Sequence, residues 1–201
     1  GDCAIQDMKG HSGAVRCVAV DWAGRRALSG SSDDSLRLWD IDSGESLRVL
    51  KGHTHDVHCV SVDWPSLRAL SGSGDDSLLL WDIVRAEPLL ELRGHQRDVL
   101  CVDVDWATLR AITGSVDESL RVWDLEAGRL LQTLRGHEDH VAAVAADWPS
   151  QRAVTGSHDG AVRLWDLETG ESLLELRGHS FHVRCVAFHY ASKRRPRLPE
   201  G

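Results

Sequence analysis

The sequence lacks several features that would assign it to a common class of protein. Its 201 residues contain no asparagine, which excludes an Asn-linked glycosylation site. No apolar run approaches the ~18 residues that a membrane-spanning helix needs. Residues 1–9 have neither the basic nor the apolar region of a secretory signal. The sequence therefore predicts a protein that is neither embedded in a membrane nor exported.

Basic residues are fewer than acidic ones, and four of the 23 lie together at the C-terminal end. The net charge is −8, although Lys193, Arg194, Arg195 and Arg197 all lie in the last nine residues. The remaining, more acidic body should repel nucleic acid and acidic membranes, because both bind clustered Lys and Arg. We predict no nucleic-acid partner and no membrane partner. Residues 191–201 are predicted to be a basic disordered tail, with a localisation or interaction motif as the alternative.

What the sequence does contain is a repeat with a constant step of 42 residues. The dipeptide Trp-Asp begins at residues 39, 81, 123 and 165, and Gly-His begins at residues 10, 52, 94, 136 and 178. Such a period indicates one supersecondary unit copied in series. Four complete units are predicted at residues 10–51, 52–93, 94–135 and 136–177. Residues 178–190 are a truncated fifth unit with only its first strand, and residues 1–9 are the outer strand of a preceding unit.

The cysteines follow the same repeat. The chain has five, an odd number, and Cys17, Cys59, Cys101 and Cys185 share one position of the unit, where the other copy has Ala143. A position that accepts Cys or Ala within an apolar strand indicates a small buried site. Because partners one repeat apart would lie too far away to bridge, no disulfide framework is expected. The protein is therefore expected in a reducing intracellular compartment, the cytoplasm or nucleus.

Each unit is predicted to contain four short strands separated by polar turns. In the first unit these are residues 15–20, an apolar run typical of a strand buried on both faces, then 26–31, 36–41 and 46–50. The spacing predicts an antiparallel meander. A lone sheet of this kind has two apolar faces, and a radial arrangement of sheets covers them while leaving only short edges.

The order Gly-His, apolar strand, Ser-Gly-Ser, Asp and Leu-Trp-Asp resembles the WD-repeat (Trp-Asp repeat) β-propeller family, over residues 3–190. The resemblance implies an all-β fold: a β-propeller or partial propeller of four-stranded antiparallel blades, with four complete WD repeats plus a truncated fifth. It also implies that a hydrogen-bonded tetrad braces each blade. The implied tetrads are His11, Ser29, Asp33 and Trp39; His53, Ser71, Asp75 and Trp81; His95, Thr113, Asp117 and Trp123; and His137, Thr155, Asp159 and Trp165.

Serine, histidine and aspartate together also occur in hydrolases. A nucleophilic site needs one exposed hydroxyl beside one oxyanion hole, however, and here the trio recurs in every unit. The recurrence favours a structural role, so the sequence predicts no catalytic residue, no cofactor and no enzyme activity.

The positions at which the copies differ are the candidates for binding. They follow each Gly-His or precede each tetrad aspartate, and the resemblance implies that both places lie on loops of one rim. A rigid scaffold that positions variable loops is typical of a binding protein; the alternative is unconstrained surface variation. The predicted partner-binding residues are Ala14, Arg16, Ser32, His55, Asp56, His58, Arg97, Asp98, Leu100, Val116, Asp139, His140, His158, Phe181, His182 and Arg184.

Two other recurrent features offer alternatives. Aromatic residues follow the first strand of each unit and could form a ring for ligand stacking, although packing against the neighbouring turn is favoured. These are Trp22, Trp64, Trp106 and Trp148, with Tyr190 in the fifth unit. The additional histidines could bind a metal, but strand geometry does not obviously bring them together, so no metal site is predicted.

The predicted function is a non-catalytic protein–protein interaction scaffold or adaptor that binds protein or peptide partners on the variable rim. Self-association through unpaired terminal blades is a further expected contact. The alternatives are a propeller that binds a small molecule or a metal, and a fragment without independent function.

Overall fold

The computed structural model describes residues 7–187 and shows an almost entirely β structure. The first sheet contains β1 (Val15–Asp21), β2 (Arg26–Ser31), β3 (Ser35–Asp40) and β4 (Ser46–Lys51). The second contains β5 (Val57–Asp63), β6 (Arg68–Ser73), β7 (Ser77–Asp82) and β8 (Glu87–Arg93). The third contains β9 (Val99–Asp105), β10 (Arg110–Ser115), β11 (Leu120–Asp124) and β12 (Arg129–Leu134). The fourth contains β13 (Val141–Asp147), β14 (Arg152–Ser157), β15 (Ala161–Asp166) and β16 (Ser172–Arg177), with one 3₁₀ turn, Trp148–Ser150, between β13 and β14.

The strands of every sheet pair in chain order, and every pair is antiparallel. The prediction of an all-β protein built from four-stranded antiparallel blades is therefore confirmed. Strand β2 coincides with residues 26–31, and the other three strands of the first blade lie within one residue of the predicted bounds. This agreement arises because the turn residues, rather than the apolar residues, fix where short strands end.

The core lies between the sheets. The first strands β1, β5, β9 and β13 lie side by side in that order. One buried cluster joins Leu28, Leu36 and Leu50 of the first blade to Val57 and Trp81 of the second, and the next two junctions have equivalent clusters. Each face thus removes the apolar surface of its neighbour from water, which is the main stabilising term of such a stack.

The glycine of each Ser-Gly-Ser or Thr-Gly-Ser segment is required by this close approach. A Cβ atom added at Gly72 would lie 2.7 Å from Val99 Cγ1 of the next blade and 2.8 Å from Cys59 Sγ of its own. Gly30 and Gly114 have the same environment. The repeated glycine therefore sets the spacing between adjacent blades.

The first blade shows that the stack is open on one side. Val15 is 56% exposed, whereas its counterparts Val57, Val99 and Val141 are fully buried against the preceding blade. Val18 is likewise exposed. The prediction that residues 15–20 are buried on both faces is wrong for this copy, because among residues 7–187 no blade covers that face of β1.

The two ends of the array contain no strand in their described parts, residues 7–10 and 178–187. Val183 nevertheless takes the place of an inner-strand valine, because its N–H donates to Ser157 O at 2.9 Å and its side chain contacts Gly156. The rest of the predicted outer strand 1–9, of the truncated unit 178–190 and of the tail 191–201 lies outside the described residues. Within the described part, no helix is long and apolar enough to cross a membrane.

Candidate functional site

The structure brings the four residues of each predicted tetrad together. In the second blade Trp81 Nε1 lies 2.8 Å from Ser71 Oγ, which lies 2.7 Å from His53 Nε2, and His53 Nδ1 lies 2.9 Å from Asp75 Oδ2. The other three blades repeat these contacts with Trp39, Trp123 and Trp165 at 2.7 to 2.9 Å from the hydroxyl. The tetrads therefore link the second and third strands of each blade to the loop that enters it.

The direction of each hydrogen bond follows from the donors available. An indole nitrogen only donates, so Ser71 Oγ accepts from Trp81 and its own proton is free for His53 Nε2. His53 then donates from Nδ1 to Asp75. This assignment gives a neutral imidazole with the proton on Nδ1. Because the hydroxyl is buried and occupied on both sides, it is held as a brace and is not presented to a substrate.

The aspartate is the acceptor at the end of this series. Oδ2 of Asp75 also accepts from Thr54 N–H at 2.9 Å, and Oδ1 accepts from the N–H and hydroxyl of Ser77 at 3.0 and 2.5 Å. Partial burial alone would raise the pKa of the Asp75 carboxyl, but the bonds from His53, Ser77 and Thr54 outweigh it and hold that pKa far below its usual range. The carboxylate thus remains ionised, and both of its oxygens are satisfied.

Burial has the opposite consequence for the histidines. In the third and fourth blades, burial lowers the pKa of His95 and His137 more than the adjacent aspartates raise it. The native state therefore favours the neutral imidazole, in agreement with the tautomer assigned above.

We expect the stability of the array to fall on mild acidification. A histidine whose pKa is lower in the folded than in the unfolded state contributes stability above its unfolded pKa of 6.5, and this contribution is lost as the pH falls below that value. The tetrad aspartates also have lowered pKa values, so further stability is lost at about pH 4 and below, where the unfolded chain takes up protons on these residues. Melting temperatures measured from pH 8 to pH 4 should decline first below the histidine pKa of 6.5 and again as the pH approaches about 4. A melting temperature that is constant or rises between pH 7 and pH 5.5 would contradict the assigned histidine state.

The predicted partner-binding residues lie at one end of the blades, which we call the upper rim. This rim is formed by the loops that enter each first strand and by the turns between second and third strands; the lower rim is formed by the other turns. None of the predicted residues is buried, and Phe181 is 80% exposed. A bulge in the first strand interrupts the register at Arg16, His58, Leu100 and Ala142. Such a bulge re-aims a side chain, and three of these residues had been assigned to the rim from sequence.

Several of these residues contact one another across the junction between blades. Arg16 donates to Ser32 Oγ at 2.8 Å and to Asp56 Oδ2 at 3.1 Å, and Ser32 donates to Asp56 at 2.8 Å. The equivalent positions one repeat later hold His58, 3.1 Å from Asp98 Oδ2. These contacts were not predicted from the sequence. A sequence signal for them exists, because the contacting residues are separated by a constant 40 positions. Arg16 contacts Asp56, and His58 contacts Asp98.

The extra histidines also come together, contrary to expectation. At the fourth blade the rings of His158 and His182 stack with centroids 4.1 Å apart, and His140 lies 5.2 Å from His158. The sequence analysis predicted no metal site because strand geometry does not obviously bring the additional histidines together, and His140 and His182 lie on strand-entry loops of different units. They converge because the turn that carries His158 lies between those loops. Burial, followed by the neighbouring His182 and His140, lowers the pKa of His158.

The additional tryptophans pack on the preceding blade. Trp106 Nε1 donates to Ser61 Oγ at 3.2 Å, and Trp148 Nε1 donates to Asp103 Oδ1 at 3.0 Å. The guanidinium of Arg26 lies over the Trp64 ring, with Arg26 Cζ 5.6 Å from the ring centroid. Trp22 is exposed, since residues 7–187 contain no blade before it. These contacts agree with the packing interpretation and leave no ring of free indoles for a ligand.

Comparison with known proteins agrees with this geometry. The family model described as WD domain, G-beta repeat matches residues 3–40, 44–82, 86–124 and 128–166. Eukaryotic translation initiation factor 3 subunit I of Xenopus laevis is 58% identical over 41 residues, 20% of this chain and 13% of that protein. The proteins of the same name from Danio rerio and Homo sapiens are 54% and 51% identical, with the same coverage. The alignments thus cover about one repeat and 13% of each relative. The family model, by contrast, matches more than half of the chain, so the chain belongs to the WD-repeat (WD domain, G-beta repeat) family, whose members are generally non-catalytic scaffolds for protein interaction.

Proposed function

We propose that the chain is an interaction scaffold that binds a protein or peptide segment on its upper rim. The contrast between the buried tetrads and the rim supports this function. The tetrads have the same arrangement in all four blades, whereas the rim differs in size, charge and polarity at each junction. Loops held by a rigid and satisfied hydrogen-bond network are the usual place for recognition.

The middle of the upper rim indicates the chemistry of the partner. A shallow hollow there is lined by Gln96, Arg97, Val116, Asp117, Glu118 and His140. Beside it, the pKa of Asp76 is raised, first by partial burial and then by the nearby carboxylates of Asp98 and Asp75. Carboxylates crowded in this way favour a ligand that brings positive charge. The partner segment therefore presents Lys or Arg to the second and third blades.

No catalytic activity is part of this proposal. Each tetrad hydroxyl accepts from an indole and is buried, which supports a structural role for the Ser/Thr, His and Asp sets. The proposal includes no nucleic-acid or membrane partner, in keeping with the net charge of −8. The exposed side of β1, with Val15 and Val18, supports self-association as a second contact.

The cysteines support a reducing intracellular compartment, the cytoplasm or nucleus. Cys17, Cys59, Cys101 and Cys185 are free thiols. Burial raises the pKa of Cys17 and Cys101 to about 12, so these thiols are unreactive packing groups.

Two substitutions in the third blade test the rim. Glu118→Lys reverses a charge on the upper rim, and Glu126→Lys makes the same change on the lower rim, where Glu126 is also exposed. A phage-displayed library of random peptides selected on the natural chain should yield peptides rich in Lys and Arg. We expect the selected peptides to bind Glu126→Lys as they bind the natural chain. They should bind Glu118→Lys at least about tenfold more weakly, the equivalent of 1.4 kcal/mol.

Circular dichroism and melting temperature are measured for both variants as a control for folding. Peptides that bind the two variants equally, or a selection that yields no binder, would contradict the proposed rim.

A further inference from the structure

The upper rim of the fourth blade carries a cluster of metal-ligating side chains, of which His140 also lines the hollow described above. Asp139, His140 and His158 each offer a ligand atom, and these atoms all lie within 4.8 Å of one another. We propose that Asp139, His140 and His158 bind a divalent transition-metal ion, for which Zn²⁺ is the test ion.

The separations suit a tetrahedral ion after small side-chain movements. Zn²⁺ binds imidazole nitrogen and carboxylate oxygen at about 2.0–2.2 Å, which places two ligand atoms of a tetrahedral site roughly 3.4 Å apart. His140 Nε2 and Asp139 Oδ1 lie 3.6 Å apart. The ring of His158 closes the remaining distance by rotation about its side-chain torsions, because its nitrogen already lies within 4.8 Å of the other two ligand atoms.

The backbone holds these ligands in place. The N–H of His158 donates to His140 O at 2.9 Å, which fixes the two ligand loops to each other. Ser157 Oγ donates to Asp139 O at 3.0 Å, and the N–H of His140 donates to Asp139 Oδ1 at 2.7 Å. Carboxylates that ligate a metal are commonly oriented by a hydrogen bond, as that of Asp139 is by the N–H of His140. The backbone of the ligand loops is therefore already held in place, and only side-chain rotations are needed to bring the ligand atoms onto an ion.

The ligand types select the class of ion. Two imidazoles and one carboxylate are ligands for Zn²⁺ and its neighbours, whereas Mg²⁺ and Ca²⁺ prefer oxygen alone. Three protein ligands leave a fourth position for water, as in other three-ligand zinc sites. His182 stacks on His158, so it covers one face of that ring.

The second blade provides an internal comparison. His55 and Asp56 occupy the positions of Asp139 and His140 there, and Gly74 occupies the position of His158. Among the residues that the structure describes, the fourth blade alone holds three such ligands together. His58 is paired with Asp98 and lies outside the proposed ligand set, so His58→Ala is a control that removes a rim histidine without removing a ligand.

The test is a titration of the full, tag-free chain with Zn²⁺ by calorimetry, followed by Co²⁺ absorption spectroscopy. We expect one Zn²⁺ per chain, a melting temperature that rises with Zn²⁺ concentration, and the intense visible bands of tetrahedral Co²⁺. His158→Val should weaken binding by more than about tenfold, because the loss of a ligand exceeds the effect of losing its orienting partner. Valine already stands at the equivalent Val116, so this variant is expected to fold. Asp139→Asn, which preserves the side-chain shape, should weaken binding as well, and His58→Ala should not.

Several outcomes would overturn the proposal. They are the absence of Zn²⁺ binding by the natural chain, equal binding by His158→Val, and thiolate-to-cobalt charge-transfer bands that assign the ion to a cysteine. The peptide binding described above is measured without metal, so failure of either proposal is distinguishable from failure of the other.

Discussion

Replacement of Trp81 by alanine is expected to lower the melting temperature by on the order of 10 °C, because it destabilises the array by about 3–5 kcal/mol. The Trp81 side chain is fully buried at the junction between the first and second blades. It also donates the hydrogen bond to Ser71 and lies against Gly52, where an added Cβ would be 2.9 Å from the indole. The substitution therefore removes core volume and leaves a buried hydroxyl without its donor. Thermal and urea unfolding of the natural chain and the variant measure the loss.

Trp22→Ala is the control for this experiment. Trp22 has the same side chain, but it is 72% exposed on the uncovered face of the first blade. Its removal should change the free energy of unfolding by no more than about 0.5 kcal/mol. Similar losses for Trp22→Ala and Trp81→Ala would show that the Trp-Asp indoles do not brace the blades.

The second large effect is expected from Asp75→Asn. Both carboxylate oxygens of Asp75 are acceptors, one for His53 and Thr54 and the other for Ser77. Asparagine has one side-chain oxygen, so its NH₂ group replaces the other carboxylate oxygen and faces the two donors that this oxygen accepted from. In either orientation of the amide, two donors lose their acceptor. Each buried donor left unsatisfied costs about 1–3 kcal/mol. We expect a loss of about 2–5 kcal/mol, measured by the same unfolding experiments.

The adjacent Asp76 supplies a matched control, because its pKa is shifted in the opposite direction to that of Asp75. Its pKa is raised by partial burial and by neighbouring carboxylates, so its charge is unfavourable in the folded state. Its φ of 67° lies in the left-handed region, which asparagine tolerates. Asp76→Asn should therefore leave the melting temperature unchanged or raise it. Destabilisation by Asp76→Asn equal to that by Asp75→Asn would contradict the difference between the two environments.

Much of the fold could be predicted from the sequence because its determinants are local. The turn residues after residues 21, 31 and 41 mark the hairpins of the first blade, and the copies repeat them at a fixed step. The members of each tetrad could also be named, because the resemblance to the WD-repeat family implies them at Trp81, Ser71, His53 and Asp75 and at the equivalent positions of the other units. Stacking of the blades followed from the two apolar faces of each sheet.

Other properties depend on neighbours that a single repeat does not reveal. Val15 and Val57 occupy the same position of their units, yet Val15 is exposed and Val57 is buried, because within residues 7–187 only Val57 has a blade in front of it. Trp22 and Trp148 differ in exposure for the same reason.

The upper rim also combines properties that the sequence determines with properties that depend on neighbouring blades. The sequence alone determined which positions vary, because the period separates constant residues from variable ones, and the resemblance to the WD-repeat family implied that these positions lie on loops of one rim. Only the tertiary structure decided which variable residues meet. Arg16 contacts Asp56 and His140 lies beside His158 because the bulged first strands and the turns of adjacent units converge at the junctions. Such contacts are set by the distance and angle between sheets, and these depend on packing across the whole array rather than on the local sequence of any unit.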